Sequence, residues 1–322
     1  MGILFRSDLH LLFGKCSNQL RLFCSLLLQG KLSENDLTVD EISVLEKHFE
    51  KDIAASIVEP WQPWWLSEEA ADLQLGASGM RLIQQSKADS ELRNSDPRAC
   101  EPTADSILSI PEPPTAPLPS LSSLTSKAPP PVISLHLLDI LFSYCLVLRL
   151  FNGQYSADPV DAMATVFNAS QIICPPGENI LWEEMSIHEA LVHIIARVTS
   201  PSAGRASVLH GFAIGIVSDV SRMLQLGRSI VIVALMDMSR LVNAAKQASQ
   251  QHVCGSDKEL QTTLRQAQRK LLFFMSWANE LLPQVFEALA TQVEVFYAQQ
   301  KTTMEITLTS RKPHKEELCH QG

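Results

Sequence analysis

The sequence predicts an all-α protein whose main part is a multi-helix bundle or an irregular solenoid. From Val132 to about Lys301, apolar residues recur at helical spacing, and no alternation typical of a strand persists. Helix start and stop signals divide this region into about six or seven helices with short connections. No fixed repeat of about 34 or 40 residues is present, so a true repeat array is not predicted.

Boundary signals place the individual helices of residues 132–301. Asp158 followed by Pro159 is typical of a helix start, because proline is tolerated at the first helical position. Ser186 and Glu189 have the spacing of a capping box, and Gly227 is a typical helix stop. Helices are predicted over about residues 134–151, 206–226 and 230–250, and two more are predicted to begin at residues 159 and 186. A last helix is predicted from residue 256 to about 300, with a kink at Pro283.

A shorter amphipathic helix is predicted before this region. Thr38 and Glu41 form a second capping box, and apolar residues follow at helical spacing to about Val58. The helix leads directly into a tryptophan-rich arm, Pro60 to Trp65, so residues 38–66 are predicted to form one unit. Before it, residues 1–37 form an atypical apolar N-terminal segment, which charged residues interrupt well short of the roughly 20 residues that a membrane span requires.

The arm is the candidate site of the chain. Tryptophan is enriched in binding hot spots, and the two prolines stiffen the segment that presents the rings. We therefore predict a partner-binding anchor, with the alternative that the rings fold back into the core of the chain's own helices. The predicted anchor residues are Pro60, Trp61, Pro63, Trp64 and Trp65.

Residues 67–131 are predicted to be a disordered linker. Ten of the 18 prolines fall between Pro97 and Pro131, and serine and threonine fill much of the remainder. Proline removes backbone donors, and the thin apolar content cannot offset the entropy of ordering. A second disordered segment is predicted for the tail, residues 302–322.

Composition and motifs exclude several function classes. The net charge of -9 argues against direct nucleic-acid binding, which needs clustered lysine and arginine. Seven scattered cysteines fit reduced thiols in the nucleus and cytoplasm. No nucleotide-binding, zinc-binding or hydrolase motif is present, so neither a cofactor nor an enzyme is predicted. His188 and His193 are five residues apart, too far around a helix to share a metal.

Several blocks together resemble the zinc finger HIT domain-containing protein 2 family. They are the arm with its preceding helix, the proline-rich linker, the blocks Leu141-Phe142-Ser143-Tyr144 and Asn152-Gly153, and the block from Phe274 to Glu280. The zinc finger that names this family is absent here. The apolar stretch Met1 to Lys31 takes its place, so none of the family's zinc ligands has a counterpart in this chain.

The resemblance implies a non-enzymatic assembly factor. Its implied partners are the RuvB-like AAA+ ATPases and their co-chaperone complex, which act in the assembly of spliceosomal small nuclear and box C/D small nucleolar ribonucleoproteins. Two alternatives remain open. One is a helical client-binding chaperone of the Shq1 type, and the other is an enzyme with an unrecognised site in the helical domain, built from His188, His193 and Glu280.

Overall fold

A computed structural model of the protein describes residues 61–82, 110–175, 182–252 and 258–310. The chain divides into two compact units, Met1–Trp61 and Gln62–Gly322, and every described residue except Trp61 belongs to the second. The apolar segment 1–37, the amphipathic helix predicted for 38–58, and Pro60 lie outside the described residues. So do the middle of the predicted linker and the chain beyond 310.

The described residues of the second unit are predominantly helical, which confirms the predicted all-α class. Within the described ranges, the β pairing consists of one isolated antiparallel bridge between Leu75 and Arg81. The described helices are α1 (Glu68–Ala71), α2 (Leu121–Leu124), α3 (Ile133–Leu150), α4 (Pro159–Ala169), α5 (Ile187–Thr199), α6 (His210–Leu226), α7 (Arg228–His252), α8 (Lys258–Glu280) and α9 (Pro283–Ser310).

Helix α3 is the centre of the bundle. It packs against α4, α5, α6 and α7, and its residues from Leu137 to Leu148 are all buried. Around it, α9 lies along α6, and α8 lies along α7. Helix α3 is also the one described helix that is long and apolar enough to cross a membrane, but 72% of it is buried inside the protein, as befits a core helix.

Local signals set most helix boundaries as predicted. Asp158 caps α4 by accepting a hydrogen bond from the Asp161 N–H, and Ser186 and Glu189 form both bonds of the capping box that begins α5. Helix α3 ends before Asn152 and Gly153, both of which have positive φ. These predictions are confirmed because a cap depends only on residues within one turn.

Three boundaries differ from the prediction. Helix α6 begins at His210, later than expected, because Pro201–Ala206 forms a separate 3-10 helix in which Gly204 has φ 55. The expected kinked helix is two helices, with Pro283 at the first position of α9. Helix α9 then continues to Ser310, so the disordered tail predicted from residue 302 is wrong over its first nine residues.

Both described ends of the predicted linker pack onto the helical domain. The Leu75 N–H donates to Ser229 Oγ at 3.1 Å, and the Leu121 N–H donates to Glu280 Oε1 at 2.7 Å. The two ends also contact each other, because the Leu118 N–H donates to the Ser78 carbonyl at 2.9 Å. Leu118 also occupies the space that a side chain at Gly79 would need, and Gly79 has φ 77, so only glycine suits this position. The ordered domain therefore includes residues on both sides of the segment 83–109, which lies outside the described residues.

Candidate functional site

Trp64 and Trp65, the centre of the predicted anchor, lie inside the helical domain. They begin a 3-10 helix, Trp64–Leu66, and are 4% and 0% exposed respectively. The Trp64 indole donates a hydrogen bond to the Tyr144 hydroxyl at 2.9 Å, and the Trp65 indole donates to Asp219 Oδ1 at 3.3 Å. The geometry of these two rings matches the alternative, in which they complete the core.

The short turn explains how two consecutive rings both point inward. The Leu66 N–H bonds to the Pro63 carbonyl at 2.9 Å, and the Ser67 N–H bonds to the Trp64 carbonyl at 3.1 Å. This tight turn places the Trp64 and Trp65 rings edge to face, with centroids 5.6 Å apart. Pro63 is buried, whereas Trp61 is only partly buried. A partner-binding role for these residues therefore remains a prediction, with Trp61 the most accessible of the three tryptophans in the arm.

The Trp64 bond continues into a buried polar network. The Tyr144 hydroxyl donates to Asp237 Oδ2 at 2.8 Å, and the Tyr155 hydroxyl donates to Asp237 Oδ1 at 2.6 Å. Burial raises the pKa of Tyr144 well above its ordinary value, so this hydroxyl keeps its proton and remains a donor. Burial also raises the pKa of Asp237, although the two tyrosine hydroxyls oppose this effect. The network joins the tryptophan turn to α3 and α7.

Trp65 is tied to a second carboxylate. Asp219 on α6 accepts two hydrogen bonds from the Arg149 guanidinium, one of them at 2.7 Å from Nη2 to Oδ1. These bonds raise the pKa of Arg149, despite partial burial that acts in the opposite direction. The carboxylate therefore has a cationic partner besides the indole, which is how a nearly buried charge is accommodated. Its contacts identify Asp219 as a packing residue.

A third buried carboxylate, Asp139 on α3, holds the segment that follows α4. It accepts hydrogen bonds from Ser170 Oγ at 2.5 Å and from the Ile172 N–H at 3.1 Å, and it pairs with Arg197 of α5. Lys270 of α8 donates to the Ile172 carbonyl at 2.6 Å. These bonds fix the chain after α4 between α5 and α8.

Sequence reasoning missed Trp182, as it missed the three buried carboxylates. Its ring makes edge contacts with His136 and His193, with centroids 5.6 Å and 5.8 Å away. Burial lowers the pKa of His136, and burial together with Arg197 lowers the pKa of His193, so both imidazoles favour the neutral form. The available signal was Trp182 itself, an isolated tryptophan shortly before the capping box of α5.

Trp182 also forms part of the wall of an apolar cleft of about 570 Å³. The cleft lies where the first turns of α3 and α9 meet the segment that leads into α5. Its volume is within the range of about 300–1,000 Å³ that is usual for binding pockets. The lining is mostly apolar and contains no lysine or arginine; its apolar members are Pro131, Val132, Leu135, Trp182, Met185, Ile187, Leu282, Val285, Ala288 and Leu289.

The alternative enzyme site does not form a catalytic arrangement among the described residues. His188 packs edge to face on Phe296, His193 bonds to Gln171, and Glu280 accepts a hydrogen bond from the Leu121 N–H. Each of the three side chains therefore has a separate structural neighbour. Within the described ranges, no group of three or more histidine, cysteine, aspartate or glutamate residues could hold a metal ion.

Comparison with known protein families gives a match to the central part of the chain. Residues 116–250, which include α2 to α6 and nearly all of α7, match the family model described as SHQ1 protein, Shq1 domain. No solved structure matches the chain. The matched region contains the buried carboxylates Asp139, Asp219 and Asp237, but it ends before α8 and α9.

This match corrects the resemblance drawn from the sequence. Residues 116–250 match the Shq1 domain and not a zinc finger HIT domain-containing protein, so that assignment is wrong. The blocks that carried the resemblance are largely core-packing features: Trp64 and Trp65 are buried, as is the whole block from Leu141 to Tyr144. Buried aromatic and aliphatic residues are conditions for packing a helical core and identify a family only weakly.

Proposed function

We propose that the chain is a non-enzymatic assembly chaperone of the Shq1 type, whose helical domain binds protein components of small nucleolar ribonucleoproteins before they enter the particle. The observation that carries the proposal is the match of residues 116–250 to the Shq1 domain. Proteins with this domain act with client proteins in the assembly of H/ACA small nucleolar ribonucleoproteins. The proposed clients are therefore proteins of that particle class.

The physical character of the domain supports a binding role. Its buried carboxylates Asp139, Asp219 and Asp237 are engaged in packing networks, and the apolar cleft offers an accessible surface at one end of the bundle. The net charge of -9 suits a protein that holds basic RNA-binding proteins without holding RNA, because opposite charge favours encounter. This binding of client proteins would take place in the nucleus and the cytoplasm, where the components are made and assembled.

The RuvB-like ATPases enter this proposal only as a second class of partner. Their role was implied by the resemblance that the family match corrects, and the Shq1 match does not specify them. Partner capture distinguishes the two classes, because an adaptor should retain the ATPases and a client chaperone should retain particle proteins.

Affinity capture of the full chain from nuclear and cytoplasmic extracts tests the proposal. We expect mass spectrometry to find core proteins of H/ACA particles, without the mature particle's RNA. Purified client protein should also remain soluble for longer in the presence of the chain. A matched control is Leu209→Ser, an exposed change outside the cleft, which should capture the same proteins.

Two results would contradict the proposal. Capture of the ATPases without any particle protein would favour an adaptor. Absence of both classes, together with turnover of a small molecule by the purified chain, would favour the enzyme alternative.

A further inference from the structure

We infer that the cleft at the first turns of α3 and α9 binds an amphipathic helix of a client, whose apolar face enters the cleft and whose flanks carry lysine or arginine. This inference rests on the proposed function and adds to it the surface used and the chemistry of the bound segment. The chosen occupant is a basic amphipathic helix, and a second copy of the chain is an outcome of the test.

The shape and lining of the cleft favour a helix. It is open, and its walls are three helical segments that line it mostly with apolar side chains. A strand would need a sheet edge to pair with, and none borders the cleft, since the described residues contain no strand. An amphipathic helix needs only an apolar groove for its i, i+3, i+4 and i+7 side chains.

The exposure of Leu282 indicates that the described residues leave part of the apolar surface of the cleft uncovered. This leucine lies directly before α9, lines the cleft, and is 68% exposed. Val285 and Ala288 continue the same face of α9 at the spacing of one helical turn. Covering these side chains would remove apolar area from water, which is the main favourable contribution to helix-in-groove binding.

The charges at the cleft decide between a basic and an acidic partner. Three helices begin here, and each N-terminus has the effect of about half a positive charge. The capping box places the Glu189 carboxylate on the N-terminus of α5, which leaves the N-termini of α3 and α9 uncompensated. Glu183 lines the cleft, and Glu184 is the next residue along the chain; both are exposed and carry full negative charges. Two full charges outweigh two half charges, so the rim is negative and favours a basic helix.

Two substitutions test the cleft without threatening the fold. Leu282→Ser removes the exposed side chain and places a favourable N-cap residue before Pro283. Ala288→Trp fills the cleft from an exposed position on α9. Leu209→Ser is the matched control, because Leu209 is 83% exposed and is the N-cap of α6, yet it does not line the cleft.

The probe is a labelled synthetic peptide of about four helical turns, with leucine on one face and lysine on the other. A second peptide carries glutamate in place of lysine, and a third carries serine in place of leucine. Fluorescence anisotropy with the full chain should show the lysine peptide binding best. We expect Leu282→Ser and Ala288→Trp each to weaken it by about tenfold or more, and Leu209→Ser to change it by less than about twofold. The double change Glu183→Lys and Glu184→Lys should reverse the preference for lysine over glutamate.

Several outcomes would overturn the inference. They are equal binding of the lysine and serine peptides, stronger binding of the glutamate peptide to the unmodified chain, or no effect of either cleft substitution. Sedimentation that shows a dimer broken by Ala288→Trp would identify a second copy as the occupant and would also overturn it.

Client capture separates this inference from the proposed function. If the cleft variants lose the peptide but still capture particle proteins, the cleft is not the client surface and the chaperone function stands. If the unmodified chain binds the lysine peptide but captures no particle protein, the cleft chemistry stands and the chaperone function fails.

Discussion

Replacing Trp65 with alanine tests whether the tryptophan arm is core or anchor. The ring is 0% exposed and packs between Trp64 and Tyr144. A buried aromatic ring removes about 150–250 Å² from water, and tryptophan-to-alanine changes in cores cost about 3–5 kcal/mol. Loss of the hydrogen bond to Asp219 is part of that cost, but the carboxylate keeps Arg149 and is not left unpaired.

The assay is urea unfolding and thermal unfolding, each monitored by circular dichroism. For a domain of this size, we expect Trp65→Ala to lower Tm by roughly 10 °C or more. Trp65→Phe fills most of the space and loses only the indole N–H, so its cost should be about 1–2 kcal/mol. Leu66→Ala is the control within the same turn, because Leu66 is 53% exposed, and its effect should stay within about 0.5 kcal/mol.

One result would refute this reasoning. If Trp65→Ala unfolds at the same temperature as the unmodified chain and partner capture is lost, the ring contacts a partner and not the core. The anchor prediction would then be restored for Trp65, and the contacts with Asp219 and Tyr144 would have to be incidental.

Three further predictions concern the networks around α3 and α5. Ser186→Ala removes the cap of α5 and should cost about 1 kcal/mol in urea unfolding, whereas Ser186→Asp should preserve stability. Asp139→Ala leaves Arg197 without its buried partner and should cost about 3–5 kcal/mol, more than the double change that also replaces Arg197 with methionine; equal losses would contradict this account. His136 and His193 have lowered pKa values, so the unfolded chain binds more protons and stability should fall as pH drops below about 6.5. Urea titrations on both sides of this pH should show the loss, and replacing both histidines with glutamine should reduce it.

The sequence predicted the helical class and several helix ends because those depend on local residues. The starts of α4 and α5 follow from Asp158 and Ser186, whose caps lie within one turn. The all-α class follows from helical spacing maintained over a long region. The same local logic failed at Pro283, where the sequence could not distinguish a kinked helix from two helices.

The sequence left open whether the tryptophans lie in the core or form an anchor, because the answer depends on residues far along the chain. Trp64 is held by Tyr144 and Trp65 by Asp219, at separations of 80 and 154 residues. The prediction of disorder for the linker was wrong at its described ends for a related reason. Its proline content argues for disorder, yet Leu118 packs specifically against Gly79. Composition describes a segment as a whole, so it does not reveal a single side chain that packs at a specific site.

The cleft and the tryptophan turn are coupled through α3, which has consequences for interpreting any loss of binding. Helix α3 contributes Ser134 and Leu135 to the cleft and Tyr144 to the tryptophan network. A change at Trp64 that unfolds the domain would therefore abolish binding at the cleft without any contact between the two sites. Only substitutions at exposed cleft positions, such as Leu282 and Ala288, can separate binding from folding. Client capture by folded Leu282→Ser protein thus bears on the chaperone surface in a way that no tryptophan substitution can.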